Sequence, residues 1–253
     1  MISTMSAILR KLVKICVPIA VYILIWQLLS MLVGSSLLLP SPRNTIEAAI
    51  GIVSSAKGWQ AILSTLLRIV VGFLSGFVSG IGLAVLTAKF RICSWLLNPL
   101  RSLIKTTPIT SFALILLVSV VSNVVPVVVA MIVVIPMIWR TTEEAIAGLD
   151  VKLSEMGDVY LTRWKKLIHV TLPQILPQVF ATASTALGFA WKAVITAEIL
   201  ALPVFGIGRQ MQSDKTYLDI PSLFAWTILV ILLSVAFESL LKRILGKVGK
   251  RYD

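Results

Sequence analysis

Arg68, Lys192 and Glu198 are ionisable side chains set inside long apolar runs. Contact with lipid is costly for such groups, so they usually face a bundle interior or a water-filled cavity. The chemistry they suggest is passage of a solute along a translocation pathway, with structural pairing as the alternative. Lys192 and Glu198 are six residues apart, too far for i,i+4 pairing, so each is expected to meet a different helix or a second subunit. Catalysis is poorly provided for. The single histidine, His169, has no H-E-x-x-H partner, G-x-S-x-G is absent, and no span carries paired carboxylates. His169 reads as a solvated or interfacial loop residue. Cys16 and Cys93 form no C-x-x-C and read as small core hydrophobes, with neither a disulfide nor a metal site indicated.

A second cluster has a different character. Between Arg140 and Lys166 the chain gathers ten of its 34 charged residues: Arg140, Glu143, Glu144, Asp150, Lys152, Glu155, Asp158, Arg163, Lys165 and Lys166. Apolar residues recur there at helical intervals, first Leu149, Leu153, Met156 and Tyr160, then Leu161, Trp164, Leu167 and Ile168. The pattern predicts two short helices that part near Leu161. Thr162 is placed to cap the second, and Pro173 and Pro177 mark the entry and bend of the next span. Mixed charge argues against a purely lipid-bound helix, which favours Lys and Arg on its polar face. A docking element for another protein fits better. The chain lacks G-x-x-x-x-G-K-[ST], so any nucleotide-derived energy must come from a partner.

The elements that position these residues follow from composition. Of 253 residues, 58% are hydrophobic and 13% charged, against about 25% charged in soluble domains, and the mean hydropathy is +0.97. The protein is therefore read as a multi-pass membrane protein. Spans are expected at Ile15–Leu39, Ala61–Ala88, Leu103–Val121, Val124–Ile138, Ile175–Leu202 and Ser222–Leu245. The first has no cleavage site and reads as an uncleaved helix. With the N-terminus inside, seventeen Lys and Arg fall on inner segments, from Arg10, Lys11 and Lys14 to Lys247, Lys250 and Arg251. Only Arg43, Lys57, Arg209 and Lys215 fall outside, which predicts N-in, C-in topology. This topology accounts for the net charge of +12 without nucleic acid, because the charges are dispersed between spans.

Within the second span Gly72, Gly76 and Gly80 recur every four residues, clearing one face for close packing within the subunit or between subunits. Pro108, Pro126 and Pro136 are expected to interrupt the third and fourth spans, where freed carbonyls need partners inside protein or along a cavity.

Order and spacing of several passages resemble permease subunits of binding-protein-dependent ABC importers, in the group that carries nitrate, sulfonates, taurine, bicarbonate and vitamin-related compounds. The passages are "LLLPSPRNTIEAA", "LLRIVVGFLSGFVSGIGLAVL", "LLNPLRSLIKTTPI", "RWKKLIHVTLPQILP", "GFAWKAVITAEILA" and "GIGRQMQSDKTYLDIPSLFAWTILVILLS". The resemblance implies an all-α integral membrane domain over residues 1–253, of type I importer permease fold. It also implies that the 140–172 loop binds cytoplasmic ATPases, that an outer binding protein delivers solute, and that two permeases form the pore. A homodimer is the default. The chain itself would hold no cofactor, with ATP and Mg bound by the ATPases. Setting Leu172-Pro173 on the family's closing Leu-Pro places the usual Glu-Ala-Ala on Ser154-Glu155-Met156 and the usual Gly on Tyr160. The residues expected to contact the ATPase are Ser154, Glu155, Met156, Tyr160, Leu161, Thr162, Arg163 and Trp164. A self-sufficient secondary transporter or channel is the competing reading.

Overall fold

The computed structural model describes residues 2–249, with side chains for Lys14 and residues 17–243. Arg10, Lys11, Cys16, Lys247, Lys250 and Arg251, named above, lie outside those side chains. Among the described residues every regular element is helical. In order these are α1 (Ile2–Val33), α2 (Pro42–Ser54), α3 (Ala56–Lys89), α4 (Arg91–Thr106), α5 (Ile109–Ser119) and α6 (Val125–Ala147). Then come α7 (Val151–Tyr160), α8 (Arg163–Lys166), a π-helical turn (Leu167–Thr171), α9 (Leu172–Ala201), α10 (Ile207–Thr216) and α11 (Ile220–Gly249).

Four described helical stretches are long and apolar enough to cross a membrane: Ala56–Lys89, Val125–Ala147, Arg163–Ala201 and Ile220–Arg243. The apolar Val17–Val33 part of α1 is shorter. The expected third span, Leu103–Val121, is not one helix. Its start belongs to α4 and its body to α5, and the two meet at an angle of 104°. Pro108 explains the break, because it sits at the N-cap of α5 and the preceding Thr107 is extended. The 11 residues of α5 reach only about 16 Å, roughly half the hydrocarbon thickness. Helix α4 instead has Ile92, Trp95, Leu96 and Leu103 exposed beside polar Arg91, Asn98, Arg101 and Lys105, the pattern of an interfacial helix. Pro126 also departs from expectation. It occupies the first turn of α6, where its missing N–H costs nothing, whereas Pro136 does lie inside that helix.

The chain forms two compact units, Met1–Trp59 with Gln210–Val230, and Gln60–Arg209 with Ile231–Asp253. In the first, Trp26 Nε1 donates to the Pro40 carbonyl at 3.0 Å and stacks on Phe224 with centroids 6.1 Å apart. Ser41 caps α2 by accepting from the Asn44 N–H. Partial burial raises the Asp214 carboxyl to about 6, helped by the charge of Asp219 and opposed by a hydrogen bond with Trp226. Its native pKa thus lies above the unfolded value, so the native state binds more protons between about pH 4 and 6. Stability contributed by this group is present below that window and lost as pH rises through it. Asp214→Asn should remove the loss. Thermal melts in detergent should show the variant gaining on wild type from pH 4 to 7, a modest effect because the group is half exposed.

The second unit centres on α6 against α9. Val125, Val129, Ala130, Val134 and Ile138 of α6 and Ala183, Ala186, Ala190, Ala193 and Ala197 of α9 are buried, so small residues let the two axes approach. The glycine face of α3 is filled by α6. A Cβ on Gly72 would lie 2.6 Å from Ala130 Cβ and 2.8 Å from the Val127 carbonyl oxygen, and one on Gly76 or Gly80 would meet Val134 or Ile138 Cβ within 2.9 Å. Thr87 ties the same pair, accepting from Trp139 Nε1 at 2.9 Å. Gly72→Val should lower the thermal midpoint, with about 1–3 kcal/mol lost to overpacking. Gly82→Ala, with open space around it, is the control that should leave the midpoint unchanged.

Candidate functional site: a charged helical corner and a buried ion pair

The charged loop folds as a helix, a break and a second helix. Asp150 starts α7 by accepting from the Lys152 and Leu153 N–H groups at 2.8 and 3.2 Å. Leu161 and Thr162 are extended and separate α7 from α8. Thr162 holds the N-cap position of α8, but its side chain makes no capping bond, contrary to the role expected of it. The break also means that Leu153 to Trp164 is two helices and not one rod. They are held together through Gly157, which is buried; a Cβ there would lie 3.1 Å from Lys166 Cγ and 3.4 Å from Val170 Cγ2. Lys166 Nζ pairs with Asp158 at 2.7 Å across the same corner. From sequence alone Gly157 carries no role, and its burial at this corner is visible only in the fold.

Packing of the corner turns a set of side chains outward. Tyr160 is 80% and Trp164 70% exposed, and Met156 is half exposed. Glu155, Thr162 and Arg163 are exposed as well, while Ser154 and Leu161 are partly covered. Large aromatic and apolar groups held open by a rigid corner form a surface suited to a protein partner. His169 is exposed on the π turn. From Arg163 the helix runs without interruption to Ala201, 39 residues, or about 58 Å. Pro173 lies in the first turn of α9 and Pro177 inside it.

At the far end of that helix Glu198 is fully buried and pairs with Arg68 of α3 at 2.7 Å. The carboxylate also accepts from Thr65 Oγ1 at 2.9 Å and from the Gly208 N–H at 2.9 Å. Thr65 Oγ1 in turn accepts from the Ile207 N–H at 2.9 Å. Arg68 donates to the carbonyls of Phe205 (2.6 Å) and Asn123 (3.2 Å), and Asn123 Oδ1 accepts from the Val204 N–H at 3.0 Å. Leu202 adopts φ 48°, the left-handed turn that ends α9 and folds the 203–208 segment back over Glu198. A Cβ on Gly206 or Gly208 would lie 2.7 or 2.6 Å from Glu198 atoms, so side chains there would displace the carboxylate. Thr65, Asn123, Gly206 and Gly208 were not anticipated, although the Gly-x-Gly after Glu198 was the available signal.

Two of the three intramembrane ionisable residues are thus brought together, and the third is not. Lys192 is exposed on α9 with Nζ 5.8 Å from the Phe189 ring centre. It shares its face with exposed Thr185, seven residues away.

Similarity to known proteins bears on the family and the fold. The model of the binding-protein-dependent transport system inner membrane component family matches residues 76–250, more than half of the chain. The putative aliphatic sulfonates transport permease protein SsuC of Bacillus subtilis is 26% identical over 92% of this chain and 87% of its own length. The nitrate import permease protein NrtB of Synechocystis is 25% identical over 78% and 74%, and the bicarbonate transport system permease protein CmpB of Synechococcus elongatus 27% over 79% and 77%. The inward-facing MetNI methionine ABC transporter contains a chain of similar fold, with TM-score 0.58 at 20% identity, covering 77% of this chain and 97% of that one. An amino acid ABC transporter solved with histidines gives 0.57 at 16% identity, covering 76% and 92%. The chain belongs to the family of inner membrane components of binding-protein-dependent transport systems.

Proposed function

We propose that the chain is the permease subunit of an ATP-driven importer and that α7 and α8 are the docking element for its ATPase. The observation that carries this reading is the exposed Met156–Tyr160–Trp164 surface joined by one continuous helix to Lys192 and Glu198. A partner that closes on ATP and moves α8 would shift α9 along its whole length, changing the relative populations of inward-open and outward-open states. With α1 as one crossing and the bent α4–α5 pair as another, broken one, the crossings number six and, with both termini inside, the loop lies on the cytoplasmic side. Two ATPase subunits hold ATP and Mg, a second copy of the chain completes the pore, lipid surrounds it, and an outer binding protein delivers solute. Lys192 lines the pathway, and Arg68 and Glu198 act on it by fixing the segment after α9. The charge of Lys192 favours an anionic solute, as the sulfonate, nitrate and bicarbonate permeases among the relatives suggest.

Reconstitution tests the reading. Proteoliposomes holding the chain with its ATPase and binding protein should accumulate solute only with ATP. Accumulation by the chain alone, driven by an ion gradient, would establish the secondary-transporter alternative.

A further inference from the structure

One cavity of the second unit is left without a role by the docking loop and the buried ion pair. Its walls carry Arg101 and Lys105 of α4, Arg140, Thr141 and Glu144 of α6, and Thr182 of α9. Three cations thus surround one carboxylate. Their existing partners do not saturate them. Arg140 pairs with Glu144 only as an exposed i,i+4 contact, of the kind worth about 0.3–0.5 kcal/mol. Lys105 has no ion-pair partner among the described residues. Arg101 is held more firmly, paired with Glu143 and lying 4.9 Å over the Trp139 ring, so its position is fixed. A hydroxyl donor completes the wall, because Thr141 and Thr182 meet Oγ1 to Oγ1 at 3.1 Å and whichever of them accepts keeps its own proton for a further bond. Guanidinium, ammonium and hydroxyl groups converging on one cavity have the donor set that takes a tetrahedral or planar oxyanion.

The place of the cavity gives it a direction. Thr182 lies ten residues from Lys192 on α9, or about 15 Å, and exposed Thr185 stands between them on the same side of the helix. A small anion held at Thr182 cannot at the same time touch the Lys192 ammonium. Such spacing suits stepwise movement, in which each group holds the ion weakly enough to release it.

We propose that the cavity formed by Arg101, Lys105, Arg140 and Thr182 is an oxyanion-binding station at the α4 end of the α9 pathway. This rests on the pathway assigned above to the exposed face of α9. The same donors would accept a free solute oxyanion or the phosphate of an anionic lipid headgroup, and α4, with its interfacial pattern, brings Lys105 within reach of either.

The test uses the purified chain with its co-purifying partners, and radiolabelled sulfate as probe, by equilibrium dialysis at constant ionic strength in lipid-free detergent. Saturable binding weakened about tenfold by Lys105→Gln or Arg140→Gln, and unchanged in Lys89→Gln, an exposed lysine that does not line the cavity, is the result expected for a free oxyanion. Retention of phosphatidylglycerol through delipidation, quantified by mass and lost in Lys105→Gln, identifies the headgroup as occupant. Neither result, or binding indifferent to both substitutions, overturns the station. ATP-driven uptake by the wild-type chain is measured in parallel, so an intact transport reading is told apart from a failed station.

Discussion

Glu198→Gln should destabilise the protein by about 3–5 kcal/mol and abolish transport while leaving the chain in the membrane. The carboxylate is fully buried and Arg68 nearly so, and removal of one partner strands a buried charge, which is the expensive way to break such a pair. The amide oxygen of Gln could still accept from Arg68, but its NH2 group would face donors on Gly208 and Thr65 that now require an acceptor. The 203–208 segment loses its anchor as a result. Arg68→Met combined with Glu198→Met should recover part of the stability, because no unpaired charge remains, yet not the transport, because the bonds to Phe205 and Gly208 are gone. Thermal melts and uptake of the two variants read the two effects separately. A Gln variant with the midpoint and uptake of wild type would show that the pair neither stabilises nor positions anything.

The second large effect is expected at the docking loop. Leu161→Asp with Trp164→Asp should weaken ATPase binding by more than about 100-fold. Trp164 is exposed here and would be buried by a partner, and a carboxylate in a desolvated apolar contact costs several kcal/mol where an aromatic group contributed about 2–4. The chain should still insert and fold, since Trp164 is largely exposed and Leu161 is only partly covered. Retention of stoichiometric ATPase by this variant would remove the docking role from α7 and α8.

The features visible in the sequence were those set by local composition. Apolar runs bounded by Lys and Arg located α3, α6, α9 and α11 to within a few residues at most ends, and the period of Leu153, Met156 and Leu161, Trp164 gave two helices parted at Leu161. Pro108 marked an interruption correctly. The 104° turn that it permits was not legible, because a missing N–H and a restricted preceding residue allow a range of directions and packing against α9 chooses one. For α6 the apolar run ended at Ile138 but the helix continues to Ala147, since Arg140 and Glu144 are compatible with helix beyond the lipid.

Partners far apart in the chain were the least legible. Arg68 and Glu198 stand 130 residues apart, and sequence distance carries no information on which buried charges meet. The reading that Glu198 meets a different helix or a second subunit followed from its six-residue spacing from Lys192; that Arg68, Thr65, Asn123 and Gly208 complete the site required the fold. The glycines show the same division. A four-residue period announced close approach by Gly72, Gly76 and Gly80, and only the structure identifies α6 as the element that approaches.

The measurement closest to the central claim is the identification by mass of every protein that co-purifies stoichiometrically with the tagged chain from its own membranes in mild detergent. A P-loop ATPase, present with the wild type and absent with Leu161→Asp/Trp164→Asp, is the predicted result. Recovery of the chain alone, still moving solute into liposomes without ATP, would contradict it.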